Sequence, residues 1–311
     1  MERMSLNKPK VSIIVPIYNV EKFIEKCACS LLEQTYENIE YIFVNDASTD
    51  DSWSILNKLI KKYEDRDIKL LCNRENKGSS FTRNFGLQNS VGEYTTFCDS
   101  DDWIERDAIE IMVSTAIGSG CDVVVAPFYV NTFGKETILN FKEKDVYNLN
   151  KIAIDYLHFS LCNKLIRSSW LKENYLFSIP SVDCWEDLSV IARLYALEPK
   201  VELLNRPFYH YRKYEYHSLT SDSHERQLND RMYYADFLTK WFEERKIEQK
   251  YSIFLNHLQF MAKIKMLRTK PRQFRRWKST YPASNNYILQ YSDIPIYYRI
   301  LFCIVNKLIK S

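Results

Sequence analysis

Apolar runs alternate with helical patterns along residues 11–125. The first run, Val11–Pro16, is β-branched and apolar at successive positions, which is typical of a strand buried on both faces in a parallel sheet. Pro16 is expected to end this strand because proline has no N–H to donate. The alternation predicts a doubly wound α/β fold with a largely parallel sheet. Strands are predicted at 41–44, 68–72, 94–98 and 122–125, and helices at 23–32, 52–63, 79–88 and 105–117.

The alternation of predicted strands and helices becomes less regular beyond Phe128. One more helix is predicted at 186–197 and one short strand at 208–212, and the chain reads as helical from 225 onward. With 311 residues the chain is longer than the usual single-core domain. We therefore expect one large domain over 1–224, divided into halves at 128, followed by a basic amphipathic helical region over 225–311.

Cysteine spacing and hydropathy restrict the class of protein further. The eight cysteines have no paired CxxC spacing, which favours buried, reduced thiols over a structural zinc site. No window of 18 or more uncharged apolar residues occurs, and Met1–Ser5 lacks the apolar core of a signal peptide. We expect a cytoplasmic protein.

Positive charge is concentrated at the end of the chain. Residues 225–311 contain 17 Lys/Arg and 7 Asp/Glu, whereas residues 1–224 contain 26 and 33. Lys263–Lys278 holds eight basic residues interleaved with apolar ones. A solvated or oligomer-forming helix face, a nucleic-acid patch and a membrane-surface anchor are the alternatives. The interleaved aromatic residues and the apolar segment 296–307 favour a membrane surface, on the inner face of the cell membrane, over nucleic acid.

Three carboxylates follow the strand at 94–98. Residues two apart share one side of a strand, so Asp99 and Asp101 can converge on one ion. Hard oxygen ligands without His or Cys favour Mg²⁺ or Mn²⁺, ions that keep coordination positions for substrate phosphates. Asp102 with Glu105 fits a capping box that opens the next helix. The sequence therefore predicts a metal-assisted diphosphate site at the carboxyl edge of the sheet.

Two classes of nucleotide-binding protein are excluded by the glycine distribution. A dinucleotide-binding strand and a P-loop both need glycines directly after the first strand. Here Pro16–Asn19 follows, and the first glycine of the chain is Gly78. Metal and side chains must hold the phosphates.

Six blocks, taken together and in order, resemble family 2 glycosyltransferases over residues 11 to about 212. They are Val11–Asn19, Val44–Asp50, Asn76–Gly78, Arg83–Gly86, Asp99–Asp102 and Trp185–Asp187. The resemblance implies a GT-A fold, with 1–128 as the nucleotide-sugar half and 129–224 as the acceptor half. It also implies an inverting transfer from a nucleoside diphosphate sugar, with UDP as the expected nucleotide, to a glycan or lipid-linked acceptor in surface polysaccharide biosynthesis.

The resemblance implies roles for the nucleotide-binding residues. Pro16 and Tyr18 match positions that line the base, and Asp46 matches a carboxylate that accepts a hydrogen bond from uracil. Arg83 matches a basic residue near the nucleotide. Asp99 matches a ligand of ribose or metal.

The resemblance also implies a metal ligand and a catalytic base. Asp101 resembles the principal ligand of Mn²⁺ or Mg²⁺. Asp187 matches the general base that removes the proton of the acceptor hydroxyl. Glu186 is a weaker candidate, because acids also favour a helix N-terminus for electrostatic reasons alone.

Three further positions are weaker candidates. His210 and Arg212 could approach the diphosphate or metal, although a structural role for His210 is the stronger alternative. Lys164 could face the acceptor.

The chain departs from the family at Asn45 and Ala47, where Asp and Gly are more usual. Asn45 has the alternative role of a hydrogen-bonding residue at a strand end.

Helix capping is the favoured role for two hydroxyl residues. Ser48 and Thr49 precede the second helix and are expected to cap it.

Two rival functions remain. A catalytically silent sugar-nucleotide-binding or scaffolding module would use the basic tail as its interaction surface. A sugar nucleotidyltransferase would need a Gly/Arg-rich loop after the first strand, where Pro16–Asn19 stands instead. The donor sugar, the acceptor and the oligomeric state leave no readable motif.

Overall fold

The predicted central strand is present as β1 (Val11–Ile17), buried along nearly its whole length. A computed structural model of the chain describes residues 8–141, 146–182, 184–213, 224–268, 273–291 and 294–308. Two compact units can be distinguished, each assembled from separate stretches of the chain. We call them the sheet unit (Met1–Lys142, Ser160–Ser181 and Leu197–Tyr214) and the helical unit (Glu143–Phe159, Val182–Ala196 and Glu215–Ser311).

The sheet unit is built on a main sheet with, in the described residues, seven strands in the order β10-β6-β9-β4-β1-β2-β3. All strands run parallel except β9, which is antiparallel to both of its neighbours. The strands besides β1 are β2 (Ile39–Asn45), β3 (Asp67–Cys72), β4 (Tyr94–Phe97), β6 (Val123–Val125), β9 (Lys164–Arg167) and β10 (Val201–Leu203). The predicted α/β class with a largely parallel sheet is confirmed.

Helices connect the strands where the sequence predicts them, with shifted ends. They are α1 (Ile24–Leu32), α2 (Ser52–Leu59, continued by a 3₁₀ turn Ile60–Lys62), α3 (Ser79–Gln88), α4 (Ala108–Ser119) and α6 (Ser168–Glu173). Right-handed crossovers place α1 and α2 on one face of the main sheet and α3 on the other, because the chain moves outward from β1 to β3 and then returns to β4. The first turns of α1 and α3 therefore approach the carboxyl edge from opposite faces.

Proline does not end β1 as expected. The strand continues to Ile17, and Pro16 pairs in register with Val44 of β2. The ladder between β1 and β4 stops two residues earlier, at Ile14 and Phe97. Proline fits there because no strand remains on its other side to receive an N–H.

The strand β9 was missed by sequence analysis. It lies between β4 and β6, which the βα alternation alone would place side by side. Its partners are Tyr94 and Thr95 on one side and Val123–Val125 on the other. The four-residue strand comes from a part of the chain about forty residues downstream of β6, where no regular pattern marks it.

The sheet unit also contains a second, smaller sheet. Its strand order in the described residues is β5-β11-β7-β8, in which β11 is parallel to β7 and antiparallel to β5. The strands are β5 (Trp103–Ile104), β7 (Phe128–Thr132), β8 (Lys135–Leu139) and β11 (Tyr209–Arg212). The short β5 directly follows the three clustered carboxylates, so this sheet anchors them.

The helical unit contains the remaining helices. They are α5 (Tyr156–Phe159), α7 (Glu186–Ala196), α8 (His224–Glu244), α9 (Ser252–Lys263), α10 (Lys265–Arg268), α11 (Phe274–Ser279), a 3₁₀ segment (Pro282–Gln290) and α12 (Ile296–Leu308). Phe260, Trp277, Tyr291 and Phe302 centre one apolar core of this unit. The predicted helical character of residues 225–311 agrees with this description.

The basic stretch Lys263–Lys278 contributes to this core. Met266, Leu267 and Trp277 are buried, and Phe274 is exposed. Lys263 is also buried and donates to three oxygens, those of Thr280 and Tyr281 in the backbone and of Asn285 in its side chain, at 2.6 to 3.0 Å. Most of the apolar residues in this stretch therefore pack inside the unit. Buried side chains such as these do not face a membrane surface. Residues 269–272 lie outside the described part.

The cysteines are all free thiols. Cys27, Cys98, Cys121 and Cys162 are buried as expected, whereas Cys72 is exposed at the end of the edge strand β3. No helix within the described residues is both long enough and apolar enough to cross a membrane.

Candidate active site

The carboxyl edge of the main sheet holds the predicted nucleotide-binding carboxylate Asp46. It follows β2, and its side chain is almost fully buried. Oδ1 accepts hydrogen bonds from Asn73 Nδ2 (2.7 Å) and the Lys77 N–H (2.8 Å), and Oδ2 accepts one from the Gly78 N–H (2.9 Å). Asp46 thus holds the loop before α3 against β2. A carboxylate has about four acceptor positions, so these three bonds leave capacity for a further donor.

The loop held by Asp46 leads directly into α3. Gly78 precedes the helix with φ +84°, a value that L side chains rarely adopt, and this accounts for glycine at the position. Asn73 Nδ2 also contacts Thr82 Oγ1 at 3.2 Å. Arg83, the next residue, donates from Nη2 to Asp99 Oδ1 at 2.7 Å. A continuous path of contacts therefore links Asp46 to Asp99 across β1.

Arg83 and Asp99 form a partly buried ion pair. The Arg83 side chain is 8% exposed and that of Asp99 25%. Bonds of this kind between charged groups are stronger than neutral ones where water is excluded. The pair orients one oxygen of Asp99 toward α3.

Asp101 is the next carboxylate along this turn. Burial, with the charge of Asp99 acting in the same direction, raises the pKa of Asp101 to about 6. Such crowding of carboxylates is unfavourable in the absence of a cation. The pair Asp99 and Asp101 thus has the electrostatic character of a cation site.

Asp102 does not form the predicted capping box. The following helix begins at Ala108, and Asp102 is 1% exposed. Its carboxylate accepts bonds from the Tyr209 hydroxyl (2.7 Å) and the Arg212 N–H (2.7 Å), both on β11. Burial and the charges of its two neighbouring aspartates hold the pKa of Asp102 well above its usual value. A short strand, β5, intervenes where the capping box would require helix, and Asp102 instead ties the turn to the second sheet.

Tyr209, on the second sheet, hydrogen-bonds to the turn that carries these aspartates. Its hydroxyl donates to Asp102 and also accepts the Asp99 N–H at 3.2 Å. Tyr209 is fully buried, and burial raises the pKa of its hydroxyl well above the usual value. The turn that carries Asp99 and Asp101 is therefore held by backbone and side-chain bonds to β11.

The two weaker candidates on β11 occupy different surroundings. The His210 ring stacks between Trp103 and Tyr129, and its Nε2 lies 2.8 Å from Glu105 Oε1. Its Nδ1 lies 3.2 Å from Glu136 Oε2. These contacts favour the structural role for His210. Arg212 donates from Nε to the backbone oxygen of Asp101 at 2.8 Å, so it does lie beside the predicted metal ligands.

The remaining candidates of the sheet unit lie at the end of β1 and at the start of β9. Pro16 is within β1, and Tyr18, which is 45% exposed, follows that strand. Lys164, at the start of β9, is fully buried and donates to the Ser160 oxygen (2.6 Å) and Asn163 Oδ1 (2.8 Å). These two contacts hold the Lys164 side chain against the loop before β9.

The departures from the family pattern have local explanations. Asn45 Oδ1 accepts the Ser48 N–H at 3.0 Å, as the hydrogen-bonding alternative predicts. Ser48 and Thr49 do not cap α2, because Asp50 accepts both the N–H and the hydroxyl of Ser52 at the helix start. Thr49 contacts Asn19 instead.

Glu186 and Asp187 belong to the helical unit. They form the first turn of α7, where the partial positive charge of the helix end stabilises a carboxylate. Both are half-buried. Trp185 precedes them with φ +81°, a strained value for a bulky residue. The central guanidinium carbon of Arg231, on α8, lies 5.1 Å from the centroid of the Trp185 ring.

Sequence reasoning missed three residues that shape this edge of the sheet. Asn73 and Tyr209 hold the aspartates, and Lys26 lies over Trp103. Alternation along β11 could have indicated Tyr209, since residues 209 and 211 share a face. No local pattern distinguishes Asn73 or Lys26 from other polar residues.

Metal binding by this edge would require ligands beyond the protein. No group of three or more His, Cys, Asp or Glu side chains in the described ranges is arranged to hold an ion. Two carboxylates, Asp99 and Asp101, fit a Mg²⁺ or Mn²⁺ ion whose other ligands are water and substrate phosphates.

Solved structures share this fold. Staphylococcus aureus TarS, residues 1–349 in complex with UDP-GlcNAc, superposes with a TM-score of 0.69 at 21% identity, covering 96% of this chain and 90% of TarS. Mannosyltransferase PcManGT from Pyrobaculum calidifontis, in complex with GDP-Man and Mn²⁺, gives 0.54 at 17% identity, covering 98% and 82%. The likeness to TarS confirms the predicted GT-A fold.

Sequence relatives extend the comparison. Glycosyltransferase GlyA of Streptococcus pneumoniae serotype 4 is 34% identical over 219 residues, 65% of this chain and 30% of GlyA. EpsH of Bacillus subtilis is 33% identical over 218 residues, 67% of this chain and 62% of EpsH. The chain thus spans less than two thirds of either relative. Residues 12–174, more than half of the chain, match the family described as glycosyl transferase family 2, and the protein belongs to that family.

Proposed function

We propose that this protein transfers a sugar from a uridine diphosphate donor to a hydroxyl group of a glycan or lipid-linked acceptor, with inversion at the anomeric carbon. The observation that carries the proposal is the path of contacts from Asp46 to Arg83 and Asp99 at the carboxyl edge of the main sheet, with the charge of Asp101 close to that of Asp99. Ligands of open α/β sheets bind at this edge. Family membership and the UDP-GlcNAc complex of TarS support the same class of donor.

Donor binding is assigned to the sheet unit. Pro16 and Tyr18, at the end of β1, would line the base, and the remaining acceptor position of Asp46 would receive the uracil N–H. Arg83 supplies positive charge beside the diphosphate while it holds Asp99 in place. Asp99 and Asp101 would hold Mn²⁺ or Mg²⁺, which when bound stabilises the negative charge of the departing diphosphate.

Acceptor activation is assigned to Asp187. Asp187 lies in the first turn of α7, where the helix dipole favours a negative charge, and its carboxylate would accept the proton of the attacking hydroxyl. Glu186 shares this turn and the same electrostatic support. A surface polysaccharide is the proposed acceptor class, on the strength of the family resemblance.

The donor can be tested by ligand-induced stabilisation. Nucleotide sugars would be screened with Mn²⁺ in a thermal unfolding assay, because a ligand that prefers the folded state raises its apparent stability. A UDP-sugar should raise the midpoint, and Asp101→Asn should reduce the manganese-dependent part of the shift. If no nucleotide sugar shifts the midpoint, a scaffolding module becomes the better description.

If Asp187 is the general base, its replacement should lower turnover without weakening donor binding. Asp187→Asn should reduce release of the nucleoside diphosphate in the presence of acceptor by about a hundredfold or more, since general bases contribute on that order. Donor binding should change little. Glu243→Gln, an exposed carboxylate on α8 of the same unit, is the matched control. Transfer by Asp187→Asn at near wild-type rate would refute the assignment.

A further inference from the structure

Trp185, the residue before Glu186 and Asp187, has a strained backbone. Its φ of +81° is a value that bulky L residues rarely adopt, and such values persist only where surrounding contacts enforce them. Its backbone oxygen accepts the Ser189 N–H at 2.9 Å, a hydrogen bond that ties Trp185 into the first turn of α7. Glu186 and Asp187 belong to that same turn. The contacts that hold Trp185 therefore help to determine where the Asp187 carboxylate lies.

The Arg231 side chain, on α8, contacts Trp185 and the residue before it. Its central guanidinium carbon lies 5.1 Å from the centroid of the Trp185 ring, within the range of a cation–π contact. The guanidinium also donates a hydrogen bond to the Cys184 thiol. Burial raises the pKa of this thiol, and the charge and hydrogen bond of Arg231 act in the opposite direction. One side chain thus contacts two consecutive residues just before α7.

Arg231 lies on a face of α8 that is fixed within the helical unit. Tyr234, three residues further along α8, is fully buried, and its hydroxyl donates to the Val182 oxygen at 2.9 Å. Leu228, three residues before Arg231, is buried in the apolar core that includes Trp277. Residues three apart share one face of a helix. The face that carries Arg231 is therefore held both by this core and by the segment that leads into α7.

The surroundings of Arg231 are not explained by stability alone. Its Nε–H is buried and has no hydrogen-bond partner in the described part of the chain. A buried donor without a partner destabilises a fold, and so does the positive φ of Trp185. Unfavourable features of this kind gather where a protein fixes the geometry of a functional site. Both occur at the segment that leads into the turn of Asp187, which indicates a role in positioning that turn.

We propose that Arg231 is a positioning residue for Asp187: by holding Cys184 and Trp185 it fixes the first turn of α7, and with it the carboxylate proposed as general base. This inference rests on the proposed glycosyl transfer and adds to it a residue outside the motif blocks. A planar guanidinium can lie over the indole and donate to the thiol in one geometry, whereas a lysine ammonium acts as a point charge. Turnover depends on such support because misplacing a catalytic group by about 1 Å costs about a hundredfold in rate.

Hydrogen exchange of the full-length protein tests the structural part of this inference without a substrate. In the wild type the Ser189 N–H should be protected by its bond to Trp185. Arg231→Met, which keeps a long side chain without the charge, should speed exchange of this amide by about tenfold, because the first turn of α7 then opens more readily. Amides in the last turn of α7 should exchange as in the wild type. Arg231→Lys retains a cation beside the ring and should give an intermediate rate, and it serves alone if Arg231→Met does not fold.

Turnover tests the catalytic part. The UDP-sugar that stabilises the wild type most would be supplied with Mn²⁺ and with water as acceptor, and release of UDP would be measured. Arg231→Met should lower the rate at saturating donor by about tenfold, with the affinity for UDP unchanged. Added to Asp187→Asn, it should cause no further loss, because a residue that acts only through Asp187 then has nothing left to position.

A matched control separates this role from the loss of any arginine over a tryptophan. Arg245, just after α8, lies 3.8 Å from the centroid of the Trp241 ring, and Arg245→Met should keep wild-type exchange and turnover. Unchanged exchange of the Ser189 amide in the Arg231 variants would overturn the inference, as would a further loss in the double variant. Failure of the proposed function appears differently, as an absence of UDP release by the wild type, and hydrogen exchange still decides whether Arg231 holds the turn.

Discussion

Gly92 illustrates how closely single residues are packed at the start of β4. Its N–H donates to Ser12 Oγ and to Glu40 Oε1, both at 2.9 Å. A Cβ at this position would lie 2.6 Å from the Ser12 nitrogen and 2.9 Å from the Tyr94 oxygen, and it would also collide with Ser12 Oγ. Backbone atoms cannot move aside as flexible side chains do, so only glycine fits.

Replacing this glycine should therefore destabilise the fold. Gly92→Ala should lower the free energy of unfolding by about 1 to 3 kcal/mol, the usual cost of overpacking. Gly118→Ala is the matched control: Gly118 lies within α4 with no atom within 4 Å of its added Cβ. There alanine should stabilise by about 0.5 to 1 kcal/mol through helix propensity. Urea unfolding measures both, and equal stability of Gly92→Ala and wild type would contradict the packing argument.

Glu40 shows how one buried carboxylate joins several elements. It lies on β2 and accepts bonds from Ser12 on β1, Lys69 on β3 and the Val91 and Gly92 N–H groups before β4. Burial raises the pKa of Glu40, but the bonds from Lys69, Ser12 and Val91 outweigh it and hold the pKa below the usual 4.5. The ionised form is therefore part of the native sheet.

Acid should weaken these connections between strands. The folded pKa lies below the unfolded one, so the stabilisation is complete above about pH 5 and is lost as pH falls through the folded value. Unfolding free energies measured by urea from about pH 6 to about pH 3 should fall less steeply for Glu40→Gln than for wild type. Glu37→Gln, whose carboxylate is exposed, should keep the wild-type slope. A slope for Glu40→Gln that matches wild type would contradict the prediction.

For the molecule as a whole, we propose that the expected peripheral membrane contact is made by α12. This helix exposes Ile296, Tyr297, Ile300, Leu301 and Ile304, and it carries Arg299 and Lys307 but no acidic residue. An amphipathic helix of this composition favours an anionic membrane surface. The surrounding residues 225–311 add a net positive charge that attracts the same surface.

Flotation with anionic liposomes tests this contact. Full-length protein should float at low salt and less at high salt, and the double variant Ile300→Glu, Leu301→Glu should remain at the bottom. Ile117→Glu, an equally exposed isoleucine on α4, should float as wild type does. Absence of flotation by the wild type, or unchanged flotation of the double variant, would exclude α12 as the contact.

Local patterns in the sequence determined the strands β1 to β4, the helices between them and the family. Apolar runs and helical periodicity depend on neighbours a few residues apart, so they can be recognised without tertiary contacts. The six motif blocks are equally local. The candidate residues after β1, β2 and β4 follow from them, because the carboxyl ends of parallel strands share one edge.

Which distant residues meet depends on the tertiary fold. It inserted β9 between β4 and β6, and it gave Asp102 partners on β11, 107 and 110 residues away, in place of a helix cap. It also brought Lys26 and Arg212 to the two-residue strand β5 at Trp103. Contacts over such separations arise from packing of the whole sheet unit, and no local periodicity encodes them. The prediction of a cation site at Asp99 and Asp101 follows from the sequence, whereas the contacts that hold their turn against β11 depend on the fold.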